Sequence, residues 1–189
     1  MKYFTPDLLA QCRSHDDDEA EAAADAWELA VAAYNAHLNE IRRHLPLGAR
    51  QLLKLATLHD AQLLTINRAR SNTARDLFLT FRLAGSTRQP AGGVELRYTL
   101  SGKSKLVLRE PQALANGRAT RWVIYDEFEL GRKASVPSFT HSLLMSDGLE
   151  FRIPFCNLRL KRFGTALLAD TRPAEIEKEL ADDAQLATA

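Results

Sequence analysis

The chain has no CxxC pair, no signal-like N-terminus and no long apolar run. Its two cysteines, Cys12 and Cys156, lie far apart, so neither a disulfide framework nor a thiolate zinc site is indicated. A spanning helix needs about twenty consecutive apolar residues, and no segment approaches that. These absences lead to the expectation of a reduced, cytoplasmic protein with no membrane partner. Catalytic signatures are missing as well: there is no phosphate loop, dinucleotide glycine fingerprint, G-x-S-x-G or H-E-x-x-H. Ser101-Gly102-Lys103-Ser104 contains Gly-Lys-Ser without the required upstream glycine, and reads as a hairpin turn. No cofactor is implied.

Charge is nearly balanced overall, at +1, but unevenly spread. Residues 1–45 hold 4 Lys/Arg against 9 Asp/Glu, residues 46–165 hold 19 against 9, and residues 166–189 hold 2 against 6. A basic middle between acidic ends suits either an anionic partner or internal neutralisation by the acidic helices. The basic residues of that middle include Lys103, Lys105, Arg109, Arg118 and Arg121, with Arg152, Arg159, Lys161 and Arg162 later. Few aromatics stand among them, so no base-stacking platform is evident, although phosphate contact remains open to them.

At 189 residues the chain suits one folded unit. Thr5-Pro6 reads as a cap and first turn of a short helix. Ala20, Ala24, Trp27, Val31, Tyr34, Leu38, Ile41 and Leu45 then recur at alternating spacings of four and three, one apolar stripe along a long helix. Ser14 is the expected cap, with acidic residues at the positive end of the dipole, and Pro46 and Gly48 are the expected stop. Bulky Trp27 and Tyr34 fit a sheet face better than a two-stranded seam. A shorter helix follows over Arg50–Thr57.

From His59 onward the pattern alternates with period two, in strands around Leu77–Leu83, Val94–Leu100 and Ser104–Arg109. Three more strands fill Arg121–Leu160. The expected architecture is α+β: helices in residues 1–57, a mainly antiparallel meander of about seven strands in 58–165, and a short helix or tail in 166–189.

The turn Ser146-Asp147-Gly148 sets the register of the last two strands. A two-residue loop would scatter the apolar residues over both faces. A three-residue loop with Gly148 left-handed pairs Met145 with Leu149, Leu143 with Phe151, His141 with Ile153 and Phe139 with Phe155, giving one apolar face. In the preceding strand Trp122, Ile124, Phe128 and Leu130 alternate with Asp126 in their phase. Asp126 and His141 should therefore share a face as direct or diagonal neighbours, because burying either alone is costly. Pro154 cannot donate to a ladder, which marks an edge strand or a bulge.

His59, Asp60, Asp126, Glu127 and His141 form the candidate site. As a set they could hold a divalent metal for hydrolysis. Read structurally, His59-Asp60 caps a helix–strand junction and His141 is a core histidine paired with Asp126. A His-Asp dipeptide occurs in metal-dependent phosphohydrolases, but those need further His and Asp on helices. Here His15 and His44 lie at helix ends and His37 on the long helix, so that framework is missing.

The opening MKYFTPDLL, the LHDAQLL junction and YDEFEL…FTHSLLMSDGLEFRIPF together resemble an uncharacterised bacterial family of the domain-of-unknown-function kind. The Leu-His-Asp-Ala lead into a sheet is similar to small immunity-type proteins of bacterial toxin systems. These resemblances imply a bacterial, cytosolic protein. The missing catalytic signatures and the uneven charge lead to the expectation of a non-enzymatic module, an immunity or defence-system component, that binds a protein partner through a sheet edge and basic surface. A metal-dependent hydrolase and a nucleic-acid-binding protein are the alternatives.

Overall fold

The computed structural model describes residues 1–55, 57–70, 75–85, 91–100, 107–109, 121–131 and 138–164. The expected C-terminal helix, with Lys103, Lys105 and Arg118, lies outside them. Three helices, α1 (Pro6–Gln11), α2 (Asp17–Ile41) and α3 (Leu47–Leu55), precede the strands. Thr5 caps α1 through its hydroxyl, with Pro6 at the first position as expected. The cap of α2 is Asp16 rather than Ser14, since its carboxylate accepts from the N–H groups of Asp18 and Glu19. Ser14 instead donates to Glu19 Oε2. Pro46 and Gly48 do follow the end of α2, but they also open α3, where Pro46 O accepts from Arg50 N.

Six antiparallel strands form one path: β1 (Gln62–Arg70), β2 (Arg75–Leu83), β3 (Gly92–Leu100), β7 (Glu150–Phe163), β6 (Ser138–Met145) and β5 (Val123–Gly131). The expected seven reduce to these six, because β4 (Val107–Arg109) is three residues long and pairs with β7 off the path. It continues the line of β3 along the same long strand. The fold is thus two three-stranded meanders joined through β3 and β7. They also meet at a second place: Asp60 N donates to Val123 O, Val123 N to Ala61 O and Leu63 N to Arg121 O, each at 2.9 Å. With the bridge Gln62–Trp122, the path closes on itself at that end.

The hairpin register is the one the sequence implies. Phe139, His141 and Leu143 pair with Phe155, Ile153 and Phe151, Met145 N donates to Leu149 O, and Gly148 has φ 82°. Pro154 is not on an edge, since β6 flanks it on one side. On the other side it falls where the ladder shifts between Thr99 and Leu100 and passes from β3 to β4, so its missing N–H breaks no pair.

The inner face of the sheet buries Leu79, Phe81, Leu96, Tyr98, Phe128, Phe151 and Phe155, and α3 closes this core with Ala49 and Leu52. A second cluster lies outside β5 and β6, where Phe4, Tyr34 and Leu144 are buried together with Trp27, Val31, Ile124 and Tyr125 around them. The stripe of α2 is therefore spent on its own sheet. Its first turns roll away, leaving Ala24 exposed and Ala23 buried. Among the described residues, no helix is long and apolar enough to cross a membrane.

Candidate functional site

His141 sits in the middle of β6 on the inner face, with no exposed surface. Its Nε2 lies 3.0 Å from Asp126 Oδ2 and its Nδ1 lies 2.7 Å from the Tyr98 hydroxyl. Phe128, its direct cross-strand partner, stacks on the imidazole at 4.0 Å and 11°. Asp126 is the diagonal neighbour, opposite Leu143. A neutral imidazole protonated on Nε2 satisfies the set: Tyr98 donates to Nδ1, and Nε2–H donates to the carboxylate. Both rings and the carboxylate are thereby fixed.

The shared phase of Asp126 and His141 holds, because Asp126 alternates with Phe128, which stands opposite His141. Upstream, a bulge between Val123 and Tyr125 breaks the alternation and puts Val123 on the inner face. Trp122 and Ile124 are consequently out of the expected phase: Ile124 packs in the outer cluster and Trp122 is 40% exposed. Tyr125 and Glu127 lie on the outer face. There Glu127 is buried and accepts from the backbone N–H groups of Lys2, Tyr3 and Phe4. It is committed to holding the N-terminal segment and does not converge with His141.

His59 and Asp60 form a turn closed by Ala61 N donating to Leu58 O, with Asp60 in the left-handed region at φ 60°. His59 Nδ1 donates to Ile124 O at 2.6 Å, so the histidine does tie the helix–strand junction to backbone. Its Nε2 stands 3.6 Å from Asp60 Oδ2. Beyond the last closing bond the lead-in to β1 and the edge of β5 separate. A cleft of about 400 Å³ opens there, lined by Thr57, His59, Ile124, Tyr125 and Asp126. Asp126 borders this cleft together with His59 and is bonded on the inner side to His141.

No group of three or more His, Cys, Asp or Glu able to hold a metal occurs among the described residues. Of the basic residues, Arg121 pairs with Asp147 at 2.6 Å, while Arg159 and Lys161 are exposed on the outer side of β7. Arg162 is exposed near the strand's end, and Arg109 is placed by its backbone in β4. The ion pairs formed among the described residues leave the acidic first turn of α2 unused. Comparison with family models, curated proteins and solved structures finds no match.

Two site residues were missed by the sequence reading. Tyr98 looks like ordinary core in its strand, and Tyr125 looks like one of several aromatics. Burial pushes the hydroxyls of Tyr34, Tyr98 and Tyr125 above the usual tyrosine range, and the neighbouring charge of Asp126 adds to it. A raised phenol favours the folded state fully below about pH 10, and that stability is lost as pH rises above it. Absorbance of tyrosinate against pH should therefore show Tyr34 and Tyr98 ionising only as the chain unfolds. Early, separate ionisation of either would contradict their placement.

Substituting His141 with alanine should lower stability by roughly 1–3 kcal/mol, because Asp126 and Tyr98 both lose their partner. Denaturant melts give the value. A loss below about 0.5 kcal/mol would mean that the hydrogen-bonded set carries no structural weight.

Proposed function

We propose that this protein is a non-enzymatic binding module that engages a protein partner through the Asp126 cleft. The observation that carries the reading is a partly exposed carboxylate bonded to a buried imidazole, on a residue that lines a cleft together with His59 and Tyr125. Sites that bind proteins concentrate their energy in a few fixed side chains set in desolvated pockets, with aromatic residues prominent. Catalysis by a metal finds no support in the described residues. At the sheet edge, two backbone groups of β5 are already taken. His59 takes the Ile124 carbonyl and the Tyr34 hydroxyl takes the Phe128 N–H, the kind of cover that keeps strand edges from pairing further.

His59, within the Leu58-His59-Asp60-Ala61 segment where the likeness to immunity-type proteins lies, lines this cleft. A component of a bacterial toxin-neutralising or defence system acting in the cytoplasm fits that reading. Nucleic acid is the alternative partner, and would meet the exposed Arg159 and Lys161 on the outer face of β7. The test is co-purification from native cells using the full chain, wild type and Asp126→Asn in parallel. The wild type should retain a protein partner that the variant loses. A monomeric, partnerless chain that turns over a substrate overturns the reading, and salt-sensitive binding of nucleic acid in its place would favour the alternative.

A further inference from the structure

We infer that the group received by the cleft is a guanidinium, the side chain of an arginine on the partner. The inference rests on the binding reading above and names the chemistry of the contact. Oδ2 of Asp126 is taken by His141, whereas Oδ1 receives no hydrogen bond among the described residues. The side chain is 22% exposed, so its charge is neither free in water nor closed off. Among the described residues lining the cleft there is no lysine or arginine to neutralise it.

The lining on either side is rigid. Phe4 stacks against Tyr125 with centroids 3.6 Å apart, and Trp27 meets the same ring edge-on at 5.7 Å. His59 is fixed by its bond to Ile124 O, and its ring stands 6.4 Å from Tyr125 at 65°. A held carboxylate in a cleft that Tyr125 and His59 also line selects a cation, and a planar one able to donate several N–H bonds and to meet an aromatic side chain fits better than a compact ammonium. A volume of about 400 Å³ admits a whole arginine side chain with part of its backbone. Because the rings and the carboxylate are already held in place, little ordering is needed when the cation enters.

The test uses the full chain and three capped tripeptides, Gly-Arg-Gly, Gly-citrulline-Gly and Gly-Lys-Gly, titrated while the ring resonances of His59 and Tyr125 are followed by NMR. The arginine peptide should shift both rings saturably. The citrulline peptide, equal in shape but uncharged, should bind at least about tenfold more weakly, with lysine between them. Asp126→Asn should lose the preference for arginine over citrulline. Because that variant could also unsettle His141, the arginine–citrulline comparison in the wild type stands as the primary result. Equal binding of the two, or no binding of arginine, overturns the inference. If a protein partner still co-purifies with the wild type in that case, the binding reading stands and only the guanidinium is wrong. If no partner is recovered while arginine binds selectively, the cation site stands and the protein-binding reading falls.

Discussion

Replacing Glu127 with alanine should loosen residues 2–4 from the sheet, leaving the Met1 amine on Glu150 as a remaining anchor. Stability should fall by about 4 kcal/mol, because three backbone N–H groups, buried or partly so, lose their acceptor at roughly 1–3 kcal/mol each. Its carboxylate has no exposed surface and accepts three backbone N–H groups, from Lys2 at 2.9 Å, Tyr3 at 2.8 Å and Phe4 at 2.7 Å. Bonds to a charged acceptor are stronger than neutral ones. The loss extends to packing, since Phe4 is fully buried among Trp27, Tyr34 and Tyr125 and would come away with its backbone. Glu127→Gln should also destabilise, because an amide offers one acceptor oxygen where the carboxylate uses two. Denaturant melts monitored by the fluorescence of Trp27 and Trp122 would report both effects. A loss under about 1 kcal/mol for the alanine variant would show that the N-terminal segment is held by other means.

The second large effect is expected at Gly48, and here the sign is informative. Within a helix, glycine to alanine ordinarily stabilises by up to about 1 kcal/mol. In α3 an added Cβ would stand 2.0 Å from Leu158 O, 2.6 Å from its carbonyl carbon and 3.0 Å from Arg159 Cα. These are backbone atoms of β7 and cannot swing aside. The helix would have to lift from the sheet, opening the contact through which Ala49 and Leu52 close the inner core. The expected cost of Gly48→Ala is roughly 3 kcal/mol, the upper range for overpacking. Thermal or urea melts decide it, and an unchanged or raised midpoint would mean that α3 does not approach β7 so closely.

What the sequence disclosed was whatever local phase controls. The hairpin at Ser146–Gly148 could be read because only one loop length puts every apolar residue of two strands on one face. Asp126 and His141 followed from that phase and from the cost of leaving either unpaired. Strand β5 resisted the same treatment. Trp122 and Ile124 are apolar, so they continue a false alternation through the bulge, and nothing local reveals that the outer face is also covered. Glu127 looked like a second carboxylate of a site because its true partners are the backbone amides of residues 2–4, which no composition or spacing marks. Tyr98 meets His141 only through the joining of two separate meanders. The cleft was invisible for a related reason: it exists where β1 and β5 part, and their meeting is a property of the closed sheet.

That meeting also bears on how the molecule assembles and opens. Each meander consists of neighbours in sequence, joined by short connections, and needs little loop closure to form. Pairing Gly93 with Phe163, or Asp60 with Val123, brings together residues distant along the chain, and such contacts are slow to form. The β3–β7 ladder is long, so once made it holds. Among the described residues, the seam between 60–63 and 121–123 has three backbone bonds and one bridge, far fewer than the β3–β7 ladder. In hydrogen exchange under native conditions, the amides of Asp60, Leu63 and Val123 should exchange well before those of β3 and β7. Because the cleft begins where the seam ends, each such opening should widen the entrance beside His59 and Asp126 while the β3–β7 ladder stays paired.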